Sequence, residues 1–212
     1  MTNFDKFANV YDLYNNLISL GTHKLVKEKA ISLLNIEKNS YVLDLCTGTG
    51  DIAKIIKQKY PCTNVIGIDI SVEMLKIASQ QVSNVTFLTA DVCNIPFDDN
   101  FFDITTISFG LRNIENRKKA LEEIYRVLKN GGQFLHIDFA KTNLLPHTTF
   151  KLLAKYASII LQQKVPYRYF LNSIDKFPNE FELISEIESI GFNHLKSTRI
   201  MFGVISAQLF YK

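Results

Sequence analysis

Short apolar runs alternate with longer amphipathic stretches through the first two thirds of the chain. The apolar runs predict β-strands at 41–45, 65–70, 85–89, 102–109 and 133–139. The stretches between them repeat apolar residues at helical spacing and predict helices at 51–59, from Ser71 onward and at 115–128. Strands separated by such helices form parallel βαβ units, so the pattern predicts a doubly wound α/β sheet.

Both ends of the chain depart from this alternation. Residues 4–34 predict helical segments that Gly21 interrupts. After Ala140 the pattern predicts a helix at 144–164, an aromatic loop at Pro166-Tyr167-Arg168-Tyr169-Phe170, a helix at 179–190 and strands near 192–200 and 204–211. We therefore expect one domain over 1–212, with seven strands in a mostly parallel sheet and helices on both faces. Residues 1–34 and 141–178 would form a helical cap over the ligand edge of that sheet.

Composition narrows the class of protein without naming a ligand. The 212 residues are 47% hydrophobic and 21% charged, which is ordinary for a globular α/β domain. The net charge of +3 comes from scattered lysines, with no basic block between aromatics, so we expect no nucleic-acid partner. The cysteines Cys46, Cys62 and Cys93 lack metal-ligand spacing, which predicts free thiols and no metal. No apolar run suggests a signal peptide or a membrane span, so we expect a cytoplasmic protein.

A glycine-rich turn follows the first predicted strand and carries the strongest chemical signal. Gly48-Thr49-Gly50-Asp51 lies between the strand and the start of a helix, where a backbone can approach a ligand closely. The spacing Gly48-x-Gly50-x-x-Ala53 also fits the dinucleotide fingerprint. However, Asp51 would repel a pyrophosphate at that helix start and would attract a cation instead.

Carboxylates recur where successive strands end. Asp44 ends the first strand, Asp69 ends the second and Asp91 follows the third. Asp69 can accept hydrogen bonds from two ribose hydroxyls, while Asp91 and the backbone of Val92 can meet an adenine ring. S-adenosylmethionine brings a sulfonium, an ammonium and a ribose but no phosphate. The acidic edge therefore favours this cofactor over NAD.

The run from Ser108 to Asn113 closes the fourth strand, where the reacting end of a ligand would lie. It lacks the Asn/Asp-Pro-Pro-aromatic run of enzymes that methylate exocyclic amines. Arg112 and Asn113 instead offer hydrogen-bond donors to an oxygen-bearing substrate. The alternative is a surface ion pair of Arg112 with Glu115 or Glu122. His23 could face the same cleft or lie on a solvated helix position.

Longer runs of residues then point to one family. These runs are Phe7-Ala8-x-x-Tyr11-Asp12-x-x-Asn15, Ser19-x-Gly21-x-His23, Val42-Leu43-Asp44-Leu45-x-x-Gly48-Thr49-Gly50-Asp51, Ile107-Ser108-Phe109-Gly110-Leu111-Arg112-Asn113, Ala120-Leu121-x-x-Ile124-Tyr125-Arg126-Val127-Leu128-Lys129-x-Gly131-Gly132, Tyr167-Arg168-Tyr169 and Ser173-Ile174-x-x-Phe177-Pro178. In them the chain closely resembles the ubiquinone/menaquinone biosynthesis C-methyltransferases, nearly from end to end.

The resemblance implies a Rossmann-like class I S-adenosylmethionine-dependent methyltransferase fold with S-adenosylhomocysteine as the product of the cofactor. It implies C-methylation of a prenylated quinol ring, from demethylmenaquinol to menaquinol or on the benzoquinol intermediate of ubiquinone synthesis. The residues expected to bind the cofactor are Asp44, Gly48, Thr49, Gly50, Asp69, Ile70, Asp91, Val92 and Ser108. The catalytic pair would be Arg112 and Asn113, and the substrate would contact Tyr11, His23 and Tyr167.

Several positions depart from the family pattern. The stretch between Ala140 and Tyr167 is shorter than usual and lacks Leu-Pro-x-x-Gly. Asp138 and Ala140 stand where Glu and Ser are common, and Gln208 replaces a usual His. These changes fall in the cap and the last strands, so they affect the expected substrate more than the cofactor.

The mechanism expected for a quinol begins with loss of a hydroxyl proton next to the reacting carbon. Arg112 would stabilise the phenolate that develops, and His23 or a water held by Arg112 and Asn113 would take the proton. Three other functions stay open: methyl transfer to another small molecule, NAD-dependent oxidation, and binding without catalysis. Contact with a membrane surface, peripheral to the inner membrane, and a homodimer are also open.

Overall fold

The computed structural model describes residues 5, 8–141, 145–161 and 167–212, without the side chains of 145–148, 150, 167 and 168. Within these residues seven strands form one sheet in the order β3-β2-β1-β4-β5-β7-β6. The strands are β1 (Tyr41–Leu45), β2 (Asn64–Asp69), β3 (Thr86–Thr89), β4 (Phe102–Ser108), β5 (Leu128–Phe139), β6 (Asn193–Ile200) and β7 (Ile205–Tyr211). Strands β1 to β5 are parallel, as the alternating pattern predicted, and β7 runs antiparallel to both of its neighbours.

Eight α-helices lie in the part of the chain that the structure describes. They are α1 (Ala8–Ile18), α2 (His23–Ile31), α3 (Asp51–Lys59), α4 (Val72–Gln81), α5 (Arg117–Val127), α6 (Leu145–Ile160), α7 (Tyr167–Lys176) and α8 (Glu180–Glu188). Ser71 caps α4 by accepting the Met74 N–H, and Asn179 forms a capping box with Glu182 on α8. A short 3₁₀ turn covers Leu111–Asn113.

The aromatic loop predicted at 166–170 is wrong, because α7 begins at Tyr167. Phe170, Ile174 and Phe177 recur at spacings of four and three residues, and Ile174 and Phe177 are buried. This spacing places one apolar stripe against the rest of the protein. Pro166, at the start of the predicted loop, lies outside the described residues.

The segment Asn130-Gly131-Gly132 has a sequence typical of a turn, but it is a bulge inside β5. Leu128 pairs with Phe102, but the next regular pair joins Gln133 to Ile104. The extra residues receive their hydrogen bonds from the end of the chain, since the Gly131 N–H donates to the Lys212 carbonyl and the Lys212 N–H donates to the Gly132 carbonyl. A long-range contact therefore extends a strand where the local sequence predicts a break.

The hydrophobic core lies on both faces of the sheet. Val42 on β1 packs into one cluster with residues of α1, α2 and α3, while Leu43 packs into a second cluster with α5 and α8. Successive residues of β1 thus pack on opposite faces of the sheet. The chain passes from β1 to β2 on one side, and β4 lies on the other side of β1. This reversal opens a crevice at the carboxyl ends of β1 and β4, the usual ligand position in such sheets.

Candidate active site

A small cleft lies at the crevice between β1 and β4. Its empty space is about 330 Å³ with the part open to solvent included, and it is lined by Tyr11, Lys27, Asp44, Cys46, Thr47, Gly48, Thr49, Asp51, Ile52, Ser108 and Phe109. We call it the cofactor cleft. Four of the residues predicted to bind the cofactor line it, namely Asp44, Gly48, Thr49 and Ser108.

The glycine turn leaves its backbone accessible at this cleft. Gly48 and Gly50 have φ of +57° and +85°, a left-handed conformation that other residues adopt only at a cost. A Cβ added to Gly48 would meet no atom within 4 Å, whereas one added to Gly50 would lie 3.2 Å from Ala78 and Phe87. Gly50 therefore permits close packing, and Gly48 presents bare backbone to a ligand.

Asp44 forms the floor of the cleft. Its side chain is buried, and its two carboxylate oxygens accept hydrogen bonds from the Thr47 hydroxyl at 2.5 Å and the Thr106 hydroxyl at 2.7 Å. Burial raises the pKa of Asp44 to about 6, although these two hydrogen bonds act in the opposite direction. Both oxygens already have a donor in this structure, so Asp44 holds the shape of the turn.

Asp69 and Asp91 continue the acidic edge across the neighbouring strands. Asp69 ends β2 and accepts the backbone N–H groups of Gly48 and Ser71, each at 2.9 Å. Asp91 follows β3 and accepts the Cys93 N–H, and Val92 beside it is buried. Burial raises the pKa of the Cys46 thiol, and the charges of Asp69, Asp44 and Asp91 add to that rise. Because β1, β2 and β3 are neighbours in the sheet, the three carboxylates at or just after their carboxyl ends lie along one edge.

Three further residues of the predicted cofactor site have distinct positions. Ser108 ends β4, and its hydroxyl is buried without a hydrogen-bond partner among the described residues. Thr49 donates its hydroxyl to Asp12 of α1 at 2.7 Å, so α1 reaches the rim of the cleft. Ile70 follows Asp69 and has a half-exposed side chain. A buried unpaired hydroxyl such as that of Ser108 is costly unless a ligand supplies its partner.

Asp51 does not offer a free carboxylate to a cation, because Lys27 already binds it. The Lys27 Nζ lies 2.6 Å from Asp51 Oδ2, and His23 Nε2 lies 3.7 Å from the same oxygen. Burial acts to raise the pKa of Asp51, but the charge and hydrogen bond of Lys27 outweigh it and the pKa lies below its usual value. Sequence reasoning missed Lys27, although its spacing of four residues from His23 puts both on one helix face.

A larger cleft adjoins the cofactor cleft on its cap side. Its empty space is about 790 Å³ including the open mouth, and it is lined by Tyr11, Tyr14, Asn15, Ile18, Ser19, His23, Lys27, Phe109, Arg112, Asn113, Phe139, Tyr169, Phe170, Ser173, Met201 and Ile205. We call it the substrate cleft. Tyr11, Lys27 and Phe109 line both clefts and form the wall between them. Two ligands bound here would meet at that wall.

Arg112 lies in the substrate cleft inside a box of aromatic rings. Its guanidinium carbon lies 5.1 Å from the ring centre of Phe139, 5.5 Å from that of Phe170 and 5.9 Å from that of Phe109. Such stacking suits the flat guanidinium and would not suit a lysine ammonium equally. The rings fix the plane of the Arg112 side chain at the inner end of the cleft.

The charge partner of Arg112 is Asp138 of β5, not Glu115 or Glu122, so the alternative of a surface ion pair is wrong. Arg112 Nη1 donates to Asp138 Oδ1 at 2.7 Å and to the Phe109 carbonyl at 2.6 Å, and Nε donates to Ser173 Oγ at 3.2 Å. Because β4 and β5 are neighbours, the turn after β4 brings Arg112 over the end of β5. The sequence alone does not give this register.

Asn113 and His23 also line the substrate cleft. Asn113 Nδ2 donates to the Phe109 carbonyl at 3.2 Å, and the Tyr169 hydroxyl donates to Asn113 Oδ1 at 3.4 Å. His23 Nδ1 lies 3.4 Å from Ser19 Oγ. Burial lowers the pKa of His23, and Lys27 adds to this effect while Asp51 opposes it. The side chain of Tyr167 lies outside the described residues, so its predicted substrate contact stays a prediction.

A buried polar layer lies behind Arg112. His136 Nδ1 and Gln208 Oε1 are 2.9 Å apart, and His136 Nε2 lies 4.0 Å from Asp138 Oδ2. Asp138 also accepts a hydrogen bond from the N–H of the next residue, Phe139, at 2.8 Å. His136 is a buried core residue in β5. Asp138 and Gln208, two of the noted departures from the family pattern, therefore meet in one layer beneath the substrate cleft.

The fold and the paired clefts define a class I S-adenosylmethionine-dependent methyltransferase. Solved structures share the fold: a putative S-adenosyl-L-methionine-dependent methyltransferase from Methanococcus maripaludis superposes with a TM-score of 0.72 at 20% identity, over 100% of this chain and 94% of the other. A methyltransferase from Aquifex aeolicus gives a TM-score of 0.68 at 20% identity, over 94% and 96%.

The chain belongs to the ubiE/COQ5 methyltransferase family, whose sequence model matches residues 1–212. The ubiquinone/menaquinone biosynthesis C-methyltransferase UbiE of Proteus mirabilis is 34% identical over 99% of this chain and 88% of that protein. The UbiE of Citrobacter koseri is 35% identical over the same shares of both chains. The cofactor of this enzyme is therefore S-adenosyl-L-methionine, as the acidic strand ends predicted.

Proposed function

We propose that this enzyme transfers a methyl group from S-adenosylmethionine to a ring carbon of a prenylated quinol, with demethylmenaquinol or a benzoquinol as the acceptor. The methyl group replaces the hydrogen on that carbon, which leaves as a proton. The observation that carries the proposal is the wall of Tyr11, Lys27 and Phe109, which separates an acidic, glycine-lined cleft from an aromatic one. Methyl transfer needs donor and acceptor in line at short distance, and two clefts with one wall supply that arrangement. The names of the relatives support the quinol as acceptor.

The residues at the cofactor cleft fit S-adenosylmethionine in their chemistry. Asp69 suits the ribose hydroxyls, and Asp91 with the Val92 backbone suits the adenine ring. Gly48 offers bare backbone and Ser108 offers a buried hydroxyl that has no other partner among the described residues. When bound, the cofactor supplies an electrophilic methyl group on a positively charged sulfur.

The substrate cleft suits a flat apolar ring that carries oxygens. Most of its lining is aromatic or aliphatic, as in small-molecule sites that bury most of their ligand. The contacts of Arg112 described above use Nη1 and Nε, so its Nη2 donors are the ones we assign to a quinol oxygen. Arg112 then stabilises the phenolate that forms when the quinol hydroxyl ionises. We assign part of the cleft wall to the predicted helical cap, through the described residues of α1, α2 and α7 that line it.

His23 is the proton acceptor that we favour. Its lowered pKa keeps the imidazole neutral near pH 7, so it can take a proton from the quinol hydroxyl. Lys27 and Asp51 lie beside it. Asp51 stabilises the positive charge that His23 gains with the proton, and Lys27 stabilises the negative charge left on the quinol oxygen. A water held by Arg112 and Asn113 is the alternative base. The variant His23→Gln separates the two bases. If His23 is the base, turnover of the variant falls near neutral pH and recovers as the pH rises above the quinol pKa. If the water is the base, turnover of the variant stays close to that of the wild type.

The decisive experiment follows methyl transfer from isotopically labelled S-adenosylmethionine to demethylmenaquinol and to a demethylated benzoquinol. The assay is anaerobic, so that the acceptor stays reduced, and the products are separated by mass. We expect a methyl group on the ring carbon and not on oxygen. Transfer to neither acceptor would contradict the proposal, while O-methylated product would contradict the proposed chemistry.

Methyl transfer to another small molecule is the second candidate function. The observation that favours it is the altered layer beneath Arg112, where Asp138 and Gln208 meet His136. Quinones extracted from a strain lacking the gene separate the two functions. Demethylated quinones would accumulate if the quinol is the substrate, and unchanged quinones would favour the second candidate.

We also propose a peripheral contact with the membrane that holds the prenyl tail. The support is an exposed apolar stripe on α6, formed by Leu152, Tyr156, Ile159 and Ile160. Helix α6 packs against α1, which lines the substrate cleft. In the described residues no helix is long and apolar enough to cross a membrane. Sedimentation with anionic vesicles tests the membrane contact, and the double variant Ile159→Ser/Ile160→Ser should sediment with them less than the wild type.

A homodimer is a separate proposal. Sedimentation equilibrium of the protein without vesicles tests it.

A further inference from the structure

Tyr14 of α1 carries a hydroxyl that the fold does not use. Its side chain is 2% exposed, and its hydroxyl has no hydrogen-bond partner within the described residues. Tyr14 nevertheless lines the substrate cleft. Its ring packs edge-on against Phe170 with centres 5.9 Å apart. The ring is therefore well placed by packing, while the oxygen is left without a partner.

An unpaired buried hydroxyl is a cost that packing does not explain. A phenylalanine would fill the same space and make the same ring contact without burying a polar atom. Burial raises the pKa of the Tyr14 hydroxyl, so it keeps its proton near neutral pH and can donate a hydrogen bond. Arg112 lies over the ring of Phe170, the same ring that Tyr14 packs against, so the two side chains lie close together in the cleft.

We infer that the Tyr14 hydroxyl donates a hydrogen bond to a ring oxygen of the substrate and selects acceptors that carry an oxygen at that place. This inference rests on the proposed function, since it names how the same cleft recognises its quinol. Tyr14 binds the substrate beside Arg112, so a flat ring enters with one oxygen between a neutral donor and a cationic one. A ring without that oxygen would leave the hydroxyl unpaired and would bind less well.

The test is Tyr14→Phe, which removes one oxygen atom and keeps the ring. Tyr125→Phe is the matched control, because Tyr125 packs against Phe192 and lines neither cleft. Four quantities are compared: the Kd for a singly prenylated 1,4-naphthoquinol, the Kd for S-adenosylhomocysteine, the Tm of the free protein, and kcat/KM with demethylmenaquinol.

We expect Tyr14→Phe to weaken naphthoquinol binding about three- to tenfold, the usual range for one neutral hydrogen bond. The Kd for S-adenosylhomocysteine should not change, and Tm should stay equal or rise because a buried unpaired hydroxyl is gone. Unchanged naphthoquinol binding overturns the inference. So does a lower Tm with equal weakening of both ligands, because that result assigns the hydroxyl to the fold.

The two proposals fail in different ways. If the wild-type enzyme methylates the quinol and Tyr14→Phe matches it in binding and kcat/KM, only the inference about Tyr14 fails. If the wild-type enzyme binds the naphthoquinol through Tyr14 but transfers no methyl group, the proposed function fails and the recognition stands. If the wild-type protein binds no naphthoquinol, both are overturned.

Discussion

Arg112 and Asp138 form an ion pair whose Nη1 and Oδ1 atoms are 2.7 Å apart and whose side chains are only 6% and 1% exposed. A pair this well buried is removed from water on both sides, so each charge depends on the other. Asp138 holds the guanidinium at the inner end of the substrate cleft, and the three aromatic rings around it fix its plane. Arg112 is therefore positioned before any substrate arrives.

Arg112→Ala should lower kcat by at least about a hundredfold, because the charge that stabilises the developing phenolate is lost. The Kd for S-adenosylhomocysteine should stay near the wild-type value, since Arg112 does not line the cofactor cleft. Arg117→Ala is the matched control: Arg117 also forms an ion pair, with Glu186, and lies over Phe177, but lines neither cleft. Near-normal turnover in Arg112→Ala would remove this residue from the mechanism.

Removing Arg112 alone should also cost stability. It leaves Asp138 as a buried charge without its partner, a change worth about 3–5 kcal/mol in comparable pairs. The double variant Arg112→Ala/Asp138→Asn should recover part of that loss, because asparagine carries no charge. Urea unfolding of the two single variants and the double variant measures the coupling. A double variant as unstable as the sum of the singles would show that the pair is not coupled.

Lys27 and the cofactor's positive sulfur should compete for Asp51. Replacing Lys27 by Met leaves the Asp51 carboxylate unpaired beside the cofactor cleft, and an unpaired anion favours the cationic S-adenosylmethionine over its neutral product. We expect the preference for S-adenosylmethionine, given by the ratio of the two Kd values, to rise about two- to tenfold. Lys29→Met on the exposed side of the same helix is the control. Calorimetry with both ligands measures the ratio, and an unchanged ratio contradicts this role of Asp51.

Asp44 should give the protein a distinct dependence of stability on pH. Its pKa is raised from 3.8 to about 6 in the folded protein, so the folded state binds the proton more tightly than the unfolded state. The resulting stabilisation is complete below pH 3.8 and is lost as the pH rises through about 6. Asp44→Asn should therefore gain stability relative to the wild type between pH 4 and pH 7, by about 2 kcal/mol.

Urea unfolding at several pH values measures this difference. Asp98→Asn, at an exposed position, is the control. If the difference between Asp44→Asn and the wild type did not change with pH, Asp44 would have an ordinary pKa in the folded state. The Asp44 carboxylate at the floor of the cofactor cleft would then be hydrated, not buried.

The sequence predicted most of the sheet because the strand signals are local. Each of β1 to β4 is an apolar run bounded by polar or turn residues, so its ends can be found without knowing the fold. Helix α7 was missed because Phe170, Ile174 and Phe177 form a stripe only once the segment is already helical. The bulge at Gly131 was missed because Lys212, distant in sequence, supplies its hydrogen bonds.

The residues of the candidate site also fall into two groups, those that the sequence predicts and those that depend on long-range packing. The carboxylates at the ends of β1, β2 and β3 follow from the topology, since parallel strands bring their carboxyl ends to one edge. Lys27 and Tyr14 depend on how α1 and α2 lie on the sheet, which no local pattern gives. Asp138 was noted as an unusual residue, but its role as the partner of Arg112 needs the register between β4 and β5.

The two clefts are built from different parts of the chain, apart from their common wall. Strand ends and the glycine turn form the cofactor side, while helices α1, α2 and α7 form most of the acceptor side. Mutations that reshape the acceptor side can accumulate without disturbing the methyl donor. Evolution can thus change the molecule that is methylated by altering these helices while the sheet and the glycine turn stay the same. The three residues of the wall are the ones that such changes must preserve.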